Sequence, residues 1–129
     1  MKSDWEVAQE KYWSNLSTRY DSLYASSWSS FEDGQLQDWI RRLCADETGR
    51  LLDLGCGTGL GYKLLHQVAP QIEYEGVDIS GEMLDKMRTN FPKARTRRMS
   101  IDDLGSFKPK SYRFVFALNS ALSFASDTD

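Results

Sequence analysis

The sequence predicts an α/β domain built on a doubly wound parallel sheet, with helices ahead of it. Three observations point there. From residue 50 the hydrophobic pattern alternates strand, helix, strand, helix, strand, the order produced by right-handed crossovers between parallel strands. The run Leu51-Leu52-Asp53-Leu54 is apolar on both faces but for one acid, as a central strand of a covered sheet must be. That run stops at Gly55-Cys56-Gly57-Thr58-Gly59 and a helical pattern follows at once. A buried strand, a tight loop and a helix N-terminus with unpaired N–H groups therefore meet at one point.

Each element follows from its residues. Ser3-Asp4-Trp5-Glu6 is a capping-box pattern, and Trp5, Ala8, Tyr12, Leu16 and Tyr20 recur at near-helical spacing behind it. They predict a first helix with an apolar, aromatic face. Asp21 to Ser30 is serine-rich and reads as a connection. Asp33 follows Ser30 at capping spacing, and Leu36, Trp39, Ile40 and Leu43 predict a second amphipathic helix running out near Gly49. After the first strand, Tyr62, Leu64, Leu65 and Val68 mark a helix closed by Pro70. Tyr74 to Val77 is a second strand ending in Asp78, and Ser80 is the expected N-cap of a helix carrying Met83, Leu84 and Met87. Ala94 to Met99 is a third, charged strand. A turn-rich segment with Gly105 and Pro109 leads to a fourth strand over Tyr112 to Leu118. Two units are expected: residues 1–48, a helical lid or extension, and residues 49–129, the sheet domain.

At 129 residues the chain is long enough for one real core. Its 19 acidic residues outnumber 16 basic ones, whereas a chain that tracks phosphates is normally basic, so no nucleic acid is expected as partner. Cys44 and Cys56 form no disulfide framework, and the chain shows no secretory signal, so a cytoplasmic location is expected. No apolar run approaches membrane-spanning length, and no membrane partner is expected. No metal-ligand set is expected either.

The chemistry concentrates at two places. Gly55, Gly57 and Gly59 alternate as Gly-x-Gly-x-Gly, not as the Gly-x-Gly-x-x-Gly of dinucleotide enzymes. Three alternating glycines exceed what one tight turn requires and suit a ligand lying against bare backbone. Asp78 ends the second strand some twenty residues on, where an acid in a doubly wound sheet can accept from both hydroxyls of a ribose. The competing reading of Asp78 is a cap for the next helix.

Leu52-Asp53-Leu54-Gly55-Cys56-Gly57-Thr58-Gly59, then Glu75-Gly76-Val77-Asp78-Ile79-Ser80 and Met83-Leu84, resembles the class I S-adenosylmethionine-dependent methyltransferases, over about Arg50 to Phe124. The resemblance implies a Rossmann-like sheet in the order 3-2-1-4, an incomplete version of the family's seven strands, and S-adenosylmethionine as cofactor with S-adenosylhomocysteine as product. It implies that Gly55, Cys56, Gly57 and Gly59 line the methionine part, that Asp53 helps fix its amino group, and that Asp78, followed by Ile79, holds the ribose. The family's acid after the third strand is replaced here by Ser100. Aligning on Leu104 puts Ser100 and Ile101 beside the adenine, with Asp102 serving only on a shifted register. Leu118-Asn119-Ser120 lacks the Asn-Pro-Pro-Tyr of relatives that methylate nucleic-acid amino groups. Asn119 is expected beside the methyl group, aligning a small-molecule acceptor or capping the next helix. Tyr20 and Tyr24 resemble a lid segment, with core packing as the competing reading for Tyr20, and Trp28 is a further candidate at the acceptor pocket.

His66 reads as a surface residue, and Lys93, Arg95, Arg97 and Arg98 read as guards of an edge strand. No histidine or lysine stands at an expected loop end, so no general base is assigned. The expected function is methyl transfer to a small molecule, or the cofactor-binding half of such an enzyme. The alternative is a non-catalytic cofactor-binding or partner-interaction module. A nicotinamide enzyme is disfavoured by the glycine spacing. Strand four would present an apolar edge, which predicts a cover from a homo-oligomer or from a missing half.

Overall fold

In the computed structural model of the chain, residues 2–17, 27–108 and 110–118 are described. The elements are helices α1 (Asp4–Ser17) and α2 (Ser27–Cys44), strand β1 (Arg50–Leu54), helix α3 (Leu60–Val68), strand β2 (Glu73–Asp78), helix α4 (Gly81–Asn90), strand β3 (Arg95–Arg98), a 3-10 turn (Ile101–Ser106) and strand β4 (Phe114–Phe116). Strands three and four are shorter than the residue pattern suggests. The strands form one parallel sheet in the order β3-β2-β1-β4, as the resemblance implied.

Register places the site. Leu54 lies beside Val77 and Asp78 beside Arg98, so the loops that follow β1, β2 and β3 all open on the carboxyl edge of the sheet. Ligands of open parallel sheets bind at that edge.

Alternation along β1 divides the core. Leu51 faces Ile40 and Cys44 of α2, Leu64 and Leu65 of α3, and Phe116. Leu52 and Leu54 face the other way with Val77, under Met99, Ile101, Leu104, Phe107 and Tyr112. Among the described residues, α2, α3 and α4 pack on the Leu51 side, and the 3-10 turn with the segment after it closes the other. A third cluster, Cys56 with Leu84 and Met87, joins the glycine loop to α4 under Tyr62, Tyr74 and Phe91. Each fully buried aliphatic side chain contributes about 1.5–3 kcal/mol over its exposed counterpart.

The N-terminal helices depart from expectation in which faces they bury. The capping box forms, with the Ser3 N–H donating to the Glu6 carboxylate at 2.8 Å and the Glu6 N–H to Ser3 Oγ at 3.1 Å. Tyr12 of the expected apolar face is nevertheless 55% exposed, and α1 docks on α4 and the end of β3 with polar contacts at Ser14 and Glu10. Ser14 Oγ lies 2.9 Å from Ser80 Oγ, and Glu10 pairs with Arg98. Helix α2 begins before Ser30, so Ser30 is no cap. It buries Leu36, Ile40 and Cys44, spaced four apart, and leaves Trp39 and Leu43 in solvent. Its last carbonyl, on Cys44, and those of Ala45 and Glu47 just after it accept from the Gln71 side-chain amide at 2.8–3.2 Å.

The charged third strand is the sheet edge, as expected. Two of its three arginines are paired: Arg97 with buried Glu75 at 3.4 Å, and Arg98 with Glu10 and the Ile79 carbonyl. His66 is exposed and stacks on Tyr62, with ring centroids 5.4 Å apart.

Candidate functional site

The glycine loop is tied to β2. The N–H groups of Gly55 and Cys56 both donate to the Val77 carbonyl, at 2.8 and 3.0 Å, extending the sheet one step past the strand. The chain then turns through left-handed backbone. Gly57 has φ 56°, and nothing stands within 4 Å of where its Cβ would be, so bare backbone faces open space there. Gly59 is different. A Cβ on it would stand 2.7 Å from the Phe91 ring, so its missing side chain makes room for packing between α3 and α4.

Asp78 bridges the two loops. Its Oδ2 accepts from the Gly57 N–H and its Oδ1 from the Ser80 N–H, each at 2.9 Å. The capping question is resolved locally: Ser80 caps α4, its Oγ accepting from the Met83 N–H at 3.2 Å, while Asp78 braces the turn before it. Burial pushes the Asp78 carboxyl above its ordinary range, and the backbone N–H groups of Ser80, Gly57 and Ile79 pull it back.

Asp53 lies beneath the same loop, 2% exposed, with its Oδ2 accepting from the Tyr74 hydroxyl at 2.6 Å. Burial raises its pKa to about 7; the Tyr74 hydrogen bond lowers it and the Asp78 charge raises it further. Cys56, between these groups, has its thiol pushed well up by burial and by the charges of Asp53 and Asp78, and is a packing residue. Among the described residues neither carboxylate has an ion-pair partner. The floor of the loop thus holds two buried acids with no cation, an arrangement that favours a positively charged ligand.

A cleft of about 340 Å³ opens past the ends of β2 and β3, lined by Ile79 and Ser100 together with Lys2, Glu6, Arg98, Met99 and Asp103. Ile79 and Ser100, expected near each other, meet here. Ile101 does not join them, because it packs against Leu52, Leu54 and Val77 on the other side of the sheet. Ser100 is buried and caps the 3-10 turn, its Oγ accepting from the Asp102 N–H at 3.1 Å. Tyr20, Tyr24 and Asn119, and the Trp28 side chain, lie outside the described residues.

Residues 51–129 match the family described as "Methyltransferase domain". The chain belongs to this family. Its fold and motifs are those of the class I S-adenosylmethionine-dependent methyltransferases. The methyltransferase domain is 38% identical over 69 residues to the trans-aconitate 2-methyltransferase of Pseudomonas paraeruginosa, covering 54% of this chain and 25% of that protein. It is 33% identical over 88 residues to that of Enterobacter sp., covering 68% and 34%. The chain thus spans about a third or less of the length of these curated relatives. Among solved structures, the amino pentose methyltransferase CalS10 of Micromonospora echinaspora, bound to S-adenosylmethionine, superposes with a TM-score of 0.62 at 28% identity. That match covers 83% of this chain and 44% of CalS10. An S-adenosylmethionine-dependent methyltransferase of Clostridium acetobutylicum shares the fold, with a TM-score of 0.57 at 22% identity over 76% of this chain and 42% of that one.

Four residues of this candidate site escaped sequence reasoning. Tyr74 reads as an ordinary strand aromatic, although its position two residues before Gly76 on one face of β2 was a signal. Gly61 sits where a Cβ would stand 2.5 Å from Asp53 Oδ2, and its helical position hid that close approach. Asp103 lines the cleft in place of Asp102, a choice made by the 3-10 turn. Arg98 read as an edge guard, yet it ties β3 to α1 across the cleft.

Proposed function

We propose that this methyltransferase domain binds S-adenosylmethionine at the glycine loop and serves methyl transfer to a small-molecule acceptor. The observation that carries the reading is the pair of buried carboxylates, Asp53 and Asp78, without a cation among the described residues, under glycine backbone that leaves free space at Gly57. A ligand with cationic centres on one end and a ribose in the middle fits that floor. When bound, S-adenosylmethionine supplies a methyl group already activated on a sulfonium.

The chain's own residues then have defined tasks. Gly55, Cys56, Gly57 and Gly59 present backbone to the methionine part. Asp53 takes the ammonium group and Asp78 the ribose hydroxyls. Ile79 and Ser100 border the adenine, and Ile101 supports them from the core. Asn119 aligns the acceptor, and Tyr20 covers the cofactor. Residues 49–129 form the cofactor domain and residues 1–48 a helical cover. The contacts of Ser14 with Ser80 and of Glu10 with Arg98 support the covering role of α1, since they bring it to the cleft. Transfer from a sulfonium is an in-line displacement, so alignment and exclusion of water do most of the work. An acceptor that is already ionised, such as a carboxylate, needs no base.

The outer edge of β4 is proposed to be covered by a second copy or by a missing half, whether further sequence or another polypeptide. Among the described strands it pairs with β1 alone, and Val115 is 58% exposed. Turnover of an acceptor panel tests both claims, with trans-aconitate and an amino sugar first because similar proteins are named for them, and light scattering run on the same sample. Methylation by an oligomer or by a complex is expected. Tight cofactor binding with no turnover on any acceptor favours the non-catalytic module, and turnover by a monomer contradicts the need for a cover.

A further inference from the structure

The partly buried side chain of Tyr74 has no task in the scheme above, and its geometry gives it one. The Tyr74 hydroxyl donates to Asp53 Oδ2 at 2.6 Å from the adjacent strand. It reaches there by crossing Gly76, which is paired with Asp53 in the β1–β2 ladder. A Cβ on Gly76 would stand 2.7 Å from the Tyr74 hydroxyl and 2.8 Å from Cys56 Sγ, so only glycine leaves this path open. From the opposite side, the first turn of α3 closes on the same oxygen at Gly61. The phenol ring is itself set by Tyr62, edge-on at 5.1 Å between centroids. One carboxylate oxygen is therefore held by a rigid donor, between a strand glycine and a helix glycine.

We infer that Tyr74 is the positioning residue for Asp53, fixing the carboxylate that receives the ligand's ammonium group. The inference rests on the cofactor reading above. The ionisable groups facing Asp53 are Tyr74, Cys56 and Asp78, while α3 presents Gly61 and the segment after β4 presents Leu118. Burial and the Asp78 charge both oppose ionisation of Asp53, and the Tyr74 O–H opposes them. A neutral donor suits the task. A lysine or arginine in its place would supply its own positive charge and compete with the ligand, whereas a phenol favours the carboxylate and leaves its charge for the ligand.

The test is Tyr74→Phe, which keeps the ring against Tyr62 and removes only the hydroxyl. Calorimetry is run from pH 6 to 8.5 with S-adenosylhomocysteine and with 5′-methylthioadenosine, which has the same purine, ribose and thioether but no amino acid. In the variant, affinity for S-adenosylhomocysteine at pH 7 falls about tenfold or more. The pH midpoint for its binding moves up by about one pH unit. Affinity for methylthioadenosine stays within about twofold. Equal losses for both ligands, or an unchanged midpoint with unchanged affinity, overturn the inference. Wild-type protein that binds methylthioadenosine no more weakly than S-adenosylhomocysteine also overturns it. Wild-type protein that binds neither overturns the cofactor reading itself, a distinguishable failure.

Discussion

Asp53 and Asp78 sit at corresponding ends of adjacent strands, yet the fold treats them differently. Asp78 spends both oxygens on backbone N–H groups, a fixed brace between the glycine loop and the start of α4. Asp53 accepts from a phenol and carries a pKa near 7, against 3.8 for the free side chain. The sign of the consequence follows. Between about pH 4 and 7 the unfolded chain has lost that proton while the fold retains it, so the free protein loses stability as pH rises through that window and levels off above it. Asp78, also raised, adds in the same direction. Thermal melting from pH 5 to 8 checks this: the melting temperature should decline with pH, and Asp53→Asn should flatten the decline. The motif residues were legible because alternating glycines and a strand-end acid are unusual combinations. Tyr74 was not, because an aromatic in a strand is common and its partner lies 21 residues away in the chain.

At the scale of elements, the helices show what a hydrophobic pattern can and cannot decide. In α2 the residues Leu36, Trp39, Ile40 and Leu43 fit a single helical stripe, but only one edge of it meets the sheet. Ile40 is 2% exposed, Cys44 is fully buried, and Trp39 is 65% exposed. Periodicity gives a helix its apolar arc, and tertiary contact chooses within it. Denaturant unfolding separates the two edges: Ile40→Ala should cost about 2–5 kcal/mol, and Trp39→Ala no more than about 0.5 kcal/mol. A reversed ranking contradicts the packing. In α1 the capping box was legible because it is local. The docking face was not, because it is set by Glu10 and Ser14 meeting Arg98 and Ser80, residues far along the chain. The Gln71 amide at the end of α2 is another long-range contact of this kind.

For the whole molecule, sheet order and the carboxyl-edge site were readable from the alternation of elements and from the resemblance that the motifs carry. The division of cover was not. Helices α2 to α4 lie on one face, and a short 3-10 turn with Phe107 and Tyr112 closes the other, an arrangement set by connections that have no period of their own. The central claim is that the glycine loop and its two acids form a binding site for S-adenosylmethionine. Titration calorimetry with S-adenosylhomocysteine tests it most directly, on the full chain and on Asp78→Ala, with circular dichroism confirming that the variant is folded. The account predicts saturable one-site binding to the full chain, weakened about tenfold or more in the folded variant, which loses the ribose acceptor and the Gly57 brace. No binding to the full chain, or equal affinity for chain and variant, would contradict it.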